Sequence, residues 1–136
     1  MNSKTVKSKK KKKSIIDIYN PVIYPIELHV CKNVDYSILS KKYELEGHGK
    51  DIDIALTIFG VKELQTDKSI CLVILNSEAK GFKDKANIVN TCAHEASHYV
   101  IDMFDFIGNN ITQDTHEPVA YLAGWAASCI YKTAIK

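Results

Sequence analysis

Residues 84–107 read DKANIVNTCAHEASHYVIDMFDFI and form the most strongly patterned stretch of the chain. Their apolar side chains recur at steps of four, three, four, three and four residues, at Val89, Ala93, Ala96, Val100, Met103 and Ile107. This spacing predicts an α-helix with a single core-facing stripe. Gly108 and the two Asn residues after it end the predicted helix as a C-cap does.

A second amphipathic helix is predicted downstream. Either Asp114 or Thr115 can cap its first turn, and Pro118 is tolerated only within that turn. The helix is expected to run to about Lys132. One of its faces carries the residues expected in the core, namely Val119, Leu122, Ala126, Ile130 and Thr133.

The first half of the chain predicts about three strands. Residues 22–31 and 51–58 alternate between two faces, and Pro25 favours an edge position for the first of them. His29, on the polar face of that strand, is expected at the surface. Residues 70–75 are apolar on both faces, which is typical of a central strand. Strands followed by helices predict an α+β fold: a small antiparallel or mixed sheet of about three strands packed on the 84–107 helix and a C-terminal helix.

Charge divides the chain into two parts. Among its 136 residues are 18 Lys and no Arg, and seven of these Lys lie in residues 1–13, which contain no acidic residue. Residues 14–136 hold the other 11 Lys against 16 acidic residues. The composition therefore predicts a disordered tail over 1–13 and a single domain over 14–136. Residues 4–13 could also make weak, salt-sensitive contacts with nucleic acid or an acidic surface.

No targeting or membrane-spanning segment is recognised in the sequence. The longest apolar run, residues 70–75, is too short to cross a bilayer, and the stretch after the Lys run is interrupted by Asp17, Asn20 and Pro21. The four Cys form no CxxC pair, so we expect buried, reduced thiols. A cytoplasmic protein is expected.

The chemistry of the chain is concentrated at residues 94–98, HEASH. His94 and His98 lie one helical turn apart on the same face, where two imidazoles can bind one Zn²⁺ ion at about 2.0–2.1 Å. Glu95 lies about 100° round the helix, near enough to a water on that ion to take its proton. The pattern supplies two metal ligands and a general base, at a site expected on the edge of the core and facing a cleft.

Two neighbouring residues are candidates for a third metal ligand. Glu117 stands 19 residues after His98, on the face of the second helix that also carries Tyr121 and Gly124. Small residues around Gly124 favour a close approach of the two helices, which would bring Glu117 over the His pair. His116 is the alternative. Two His and a carboxylate also suit divalent ions other than zinc.

The segment HEASHYVID resembles the active-site helix of zincin metallopeptidases, in particular the gluzincin, thermolysin-like branch. In size the chain resembles minimal zincins found as small uncharacterised proteins of phages and mobile elements. The resemblance implies that His94, His98 and Glu117 bind zinc and that Glu95 is the general base. It also implies that Asp102 orients a ligand histidine, and that an extended peptide substrate binds along a sheet edge.

The chain departs from the branch in two respects. Gluzincins usually carry an Asp four residues after the ligand Glu, where this chain has Tyr121. The large second subdomain that carries a histidine for the transition state has no counterpart. Hydrolysis still needs a donor for the oxyanion, and Tyr121 is the first candidate, followed by Tyr99 and His48.

These observations predict a zinc-dependent hydrolase, specifically a metallopeptidase in which Glu95 activates a water molecule. Two alternatives remain open from the sequence. The domain could bind zinc without useful turnover and act as an interaction module. The Lys-rich tail could instead make the chain an accessory protein that associates with nucleic acid.

Overall fold

The computed structural model describes residues 12–136, and the predicted α+β class is confirmed there. In chain order the elements are β1 (Ile15–Tyr19), β2 (Leu28–Lys32), α1 (Tyr36–Lys42), β3 (Ala55–Lys62), β4 (Ser69–Leu75), a 3₁₀ turn (Lys80–Lys83), α2 (Lys85–Phe106) and α3 (His116–Ala134). Across these residues, no helix has the length and apolar character needed to cross a membrane.

The sheet has four strands rather than about three, in the order β1-β2-β4-β3. β2 runs parallel to β4, whereas β1 and β3 are antiparallel to their neighbours, so the sheet is mixed. The strand that the sequence did not reveal is β1. Its Asp17 breaks the apolar pattern, but the carboxylate accepts hydrogen bonds from Thr133 (2.7 Å) and Lys136 (2.8 Å) at the end of α3.

Two of the strand predictions need correction. The edge strand expected over 22–31 is the central strand β2, which begins only at Leu28, because Pro25 lies before the strand and β1 pairs along the edge of β2 opposite β4. The strand expected over 51–58 is shifted to Ala55–Lys62. That strand continues through a bulge between Phe59 and Val61, where Gly60 takes a positive φ of 81°.

Both faces of the sheet are covered, and alternate residues of the central strands enter two separate cores. Leu28 and Val30 of β2 pack under α2 and α3, together with Cys71 and Val73 of β4. The opposite face packs under α1 and the segment after it, and its buried residues include Cys31, Leu39, Tyr43, Leu72 and Ile74. The prediction of a central strand over 70–75 is confirmed.

His29 is buried, contrary to expectation, because the face of β2 that carries it is covered by the second core. Its side chain is 2% exposed, and Nδ1 lies 2.7 Å from the Tyr43 hydroxyl and 3.8 Å from the Glu63 carboxylate. Burial lowers the pKa of His29, although the nearby Glu63 charge acts in the opposite direction.

The two long helices occur where the sequence predicts them. Asp84 caps α2, its side chain accepting a hydrogen bond from the Ala86 backbone N–H. The buried face of α2 keeps Ala96, Val100 and Met103 of the predicted stripe. Val89, Ala93 and Ile107 are exposed instead, and the remaining buried apolar positions are Cys92, Tyr99 and Phe104.

Most of the predicted tail over 1–13 lies outside the described residues. Its last two positions contact the domain: Lys12 forms an ion pair with Glu78 at 2.5 Å, and the Lys13 carbonyl accepts a hydrogen bond from Asn33 at 3.3 Å. The expected burial of the cysteines is confirmed, since Cys31, Cys71, Cys92 and Cys129 are all buried and free.

Candidate metal centre

The HEASH segment lies in the middle of α2, where the helix brings two imidazole rings together. His94 Nε2 and His98 Nε2 are 3.2 Å apart, and the ring planes meet at 74°. Two nitrogen ligands of a tetrahedral zinc ion, each at 2.0–2.1 Å, would be separated by about 3.3 Å. The His pair therefore presents its nitrogen atoms at the spacing of two zinc ligands.

Glu95 has an environment quite different from that of its neighbours. It is 5% exposed, whereas His94 and His98 are both exposed on the outer side of α2. The Glu95 Oε2 atom accepts a hydrogen bond from the Thr57 hydroxyl of β3 at 2.5 Å. Of the three residues, only Glu95 lies at the edge of the core, where the sequence predicts the whole site.

Thr57 is the residue at this site that sequence reasoning missed. It occupies an ordinary alternating position in a strand 38 residues before Glu95, so no local pattern identifies it. Its partner across the sheet is Val73 on β4, which belongs to the core beneath α2 and α3. The side chain of Thr57 thus reaches α2 because the sheet places it there.

β3 lies at an edge of the sheet, directly beside this site. It pairs with β4 on one side, and the described strands place no neighbour on its other side. Among the described residues, only the end of that edge is covered, where the Glu44 N–H donates to the Lys62 carbonyl and Tyr43 bridges to Glu63. Across residues 12–136, the earlier part of β3, which includes Thr57 next to Glu95, has a free edge.

The candidates for a third ligand both lie on the first turn of α3. His116 Nδ1 is 3.7 Å from Glu117 Oε1, and their side chains are 59% and 69% exposed. Across residues 12–136, no three His, Cys, Asp or Glu side chains converge as a metal-binding group. The structure therefore brings two of the three predicted ligands together.

The position of Glu117 follows from how α2 and α3 pack. The Tyr99 ring of α2 lies beside the Trp125 ring of α3, with centroids 6.3 Å apart. Glu117 precedes Trp125 by eight residues, a helical rise of about 12 Å. Glu117 thus lies about two turns along α3 from the level of Tyr99, the residue next to His98.

The other predicted site residues have differing environments. Tyr121 is 76% exposed and lines a shallow groove on α3 with Glu117 and Trp125. Asp102 is exposed on α2, one turn beyond His98, and His48 is exposed in a loop. Tyr99 is fully buried and its hydroxyl donates to the Ile26 carbonyl at 2.7 Å, which leaves it unable to serve as an oxyanion donor.

The two thiols whose pKa is raised by the charge of Glu95 belong to the core. Burial raises the pKa of Cys92 to about 11, and the negative charge of Glu95 acts in the same direction. Burial also raises the pKa of Cys71 strongly, and the charges of Asp102 and Glu95 add to the shift. Both thiols therefore remain protonated at neutral pH, unlike cysteines that bind a metal as thiolates.

No family model, curated protein or solved structure matches the chain.

Proposed function

We propose that the chain is a zinc-dependent hydrolase that cleaves peptides. The observation that carries the proposal is the arrangement at the middle of α2. Two imidazole nitrogens stand 3.2 Å apart, and the carboxylate between them in sequence is buried against an edge strand. This combination supplies two metal ligands, a general base and a surface for an extended chain.

Two of the three proposed zinc ligands already have a suitable spacing in the described residues. His94 and His98 would hold it through Nε2, and Glu117 is proposed as the third ligand, with His116 as the alternative. Because Glu117 lies about two turns along α3 from the level of Tyr99, binding the ion would require its exposed side chain to change rotamer and α3 to shift along α2. When bound, zinc would polarise the scissile carbonyl and lower the pKa of a coordinated water.

The residues of the chain then have distinct roles in hydrolysis. Glu95 takes the proton of the attacking water and passes it to the leaving amine. Asp102 is proposed to orient a ligand histidine, and Tyr121 to donate a hydrogen bond to the oxyanion. An extended peptide would lie along the free edge of β3, adding a strand to the sheet.

The first test is the metal content of full-length chain purified without a His tag or chelator. Elemental mass spectrometry should find about one zinc per chain, because the His pair is already spaced for it. The His94→Ala and His98→Ala variants are the controls and should each lose the metal. A wild-type ratio near zero that added zinc does not raise would overturn the proposal.

The second test separates metal binding from catalysis through Glu95→Gln. This variant should keep its zinc and lose turnover of a quenched fluorescent peptide library by about 10²–10⁴-fold, the contribution typical of a general base. Gln has nearly the same shape as Glu but cannot accept the proton. Full activity in Glu95→Gln would rule out the mechanism.

A second candidate function is an interaction module that binds zinc without turnover. It is favoured by the exposed position of Glu117, which lies apart from the His pair among the described residues. This candidate predicts one zinc per chain and no cleavage of any member of the peptide library. Measurable zinc-dependent cleavage that Glu95→Gln abolishes would exclude it.

A further inference from the structure

We infer that Thr57 is a positioning residue for Glu95. Its hydroxyl fixes the orientation of the Glu95 carboxylate, and Thr57 belongs to β3, the strand along which the peptide would bind. The inference rests on the proposed function. It adds a role for β3 beyond that of a docking edge. One residue of this strand would fix the general base relative to the substrate.

Burial makes the Thr57 contact important for Glu95. A buried carboxylate without a hydrogen-bond donor is costly, so a Glu that is 5% exposed needs a partner that fixes its orientation. The Thr57 hydroxyl donates to Oε2 at 2.5 Å. It is also 3.4 Å from the Glu95 carbonyl oxygen, so it lies against both the backbone and the side chain of the base. Oε1 is then the oxygen left to accept a proton from the attacking water.

The location of Thr57 links the base to the substrate site. Its backbone belongs to the part of β3 with a free edge, and its side chain crosses to α2. A peptide added to β3 would take its register from the backbone of the same strand. β3 would thus position both the scissile bond, through its backbone, and the Glu95 carboxylate, through Thr57. Such placement matters because an error of about 1 Å can cost about 100-fold in rate.

Threonine suits this role through its branched side chain. Two heavy atoms on Cβ restrict χ1, so the hydroxyl direction is set by the strand itself. Valine has the same shape without the hydroxyl, whereas serine keeps the hydroxyl and loses the stiffness. This pair of substitutions therefore separates the hydrogen bond from the packing.

The experiment compares zinc-loaded full-length variants on the best-cleaved peptide of a quenched fluorescent library. Thr57→Val should lower kcat by about 10–100-fold, with zinc content unchanged and KM within about twofold, because the base is misaligned while the docking edge remains. Thr57→Ser should recover most of the loss. In the Glu95→Gln background, Thr57→Val should cause no further loss.

A matched control is Thr133→Val. Thr133 is fully buried, whereas Thr57 is half-buried, and the Thr133 hydroxyl lies 2.8 Å from Tyr19 Oη and 2.7 Å from Asp17, at the β1 side of the molecule. This substitution removes a comparable hydroxyl far along the chain from the base, so it should lower stability and leave kcat unchanged. If Thr57→Val does not fold, Thr57→Ala replaces it, with an intermediate loss expected because a water molecule can enter the space.

The outcomes distinguish this inference from the proposed function. An active wild type whose kcat is unchanged by the Thr57 variants would overturn the positioning role alone. Equal losses in the Thr57→Val and Thr133→Val variants, or no recovery in Thr57→Ser, would do the same by showing a general structural effect. A wild type that binds zinc but cleaves no peptide would overturn the proposed peptidase, and the positioning role with it.

Discussion

His94 and Glu95 are adjacent in the chain, yet one side chain is exposed and the other is buried. A helix turns by about 100° per residue, so adjacent side chains leave it in different directions. The His94 side chain points outward, on the same face of the helix as His98 one turn later. The Glu95 side chain points inward, toward Thr57. The helical period places the His pair, whereas the sheet supplies the hydrogen-bond partner of Glu95.

Substitutions of single residues can identify the proposed third zinc ligand. Zinc affinity should fall strongly in Glu117→Ala and little in His116→Ala, because a carboxylate ligand contributes directly to holding the ion. The loss in Glu117→Ala should exceed the roughly 10–100-fold that an outer partner of a ligand contributes. Competition with a fluorescent zinc chelator measures both affinities.

The matched design gives a clear alternative, because the two residues are neighbours with similarly exposed side chains. A loss confined to His116→Ala would assign the third ligand to the histidine. Wild-type affinity in both variants would show that neither residue binds the ion.

At the level of elements, β2 shows how a strand's neighbours decide which of its faces are buried. Its alternation is visible in the sequence, with Leu28 and Val30 on one face and His29 and Cys31 on the other. If β2 were an edge strand with one solvent-exposed face, His29 would be exposed to water. Since β2 is central and its second face is covered by α1 and the segment after it, His29 is buried beside Tyr43.

The burial of His29 predicts a loss of stability in mild acid. Burial holds the pKa of folded His29 below its ordinary value of 6.5, so at pH values under about 6.5 the unfolded chain binds a proton that the folded chain does not. Above pH 6.5 the burial of neutral His29 should therefore not lower the free energy of unfolding. It should decrease below that pH by up to about 1.4 kcal/mol per pH unit from this one group.

Urea denaturation of the metal-free chain between pH 7.5 and pH 5 measures this effect. His29→Gln is the control and should reduce the decrease, because it cannot be protonated in that range. An unfolding midpoint that stays constant for the wild type across the range would contradict the burial of a neutral His29.

At the scale of the whole molecule, the sheet separates two cores that share no side chain. The larger core lies under α2 and α3 and contains three of the cysteines, and the smaller lies under α1 and contains Cys31. Each core is filled by alternate residues of the same two strands. The two central strands, which form the parallel pair of the sheet, are therefore buried on both faces, as parallel strands usually are.

This arrangement predicts four unreactive thiols in the folded protein. Burial raises the pKa of Cys31 to about 12 and of Cys92 to about 11, and it raises the pKa of the other two cysteines as well. Thiolate is the reactive form, so a disulfide reagent such as Ellman's at pH 8 should label none of them quickly. In urea, four thiols per chain should react. Rapid labelling of the folded protein would contradict a sheet that is covered on both faces.

The sequence by itself determined the features that depend on local spacing. The α+β class, the two long helices, the apolar strand at 70–75 and the shared face of His94 and His98 all follow from periods of 3.6 or two residues within short segments. These patterns are visible because neighbouring residues encode them. The proposed zinc ligands and the proposed activity come from the same local evidence and stay predictions.

Only the tertiary structure decided the features that depend on distant pairings. β1 pairs with β2 while Thr133 near the end of α3 donates to Asp17, and His29 is buried because Tyr43, just after α1, packs against it. Thr57 meets Glu95 across 38 residues of chain, and Glu117 stays apart from the His pair because of how α3 packs on α2. Such contacts join segments that carry no common pattern, so no period in the sequence could reveal them.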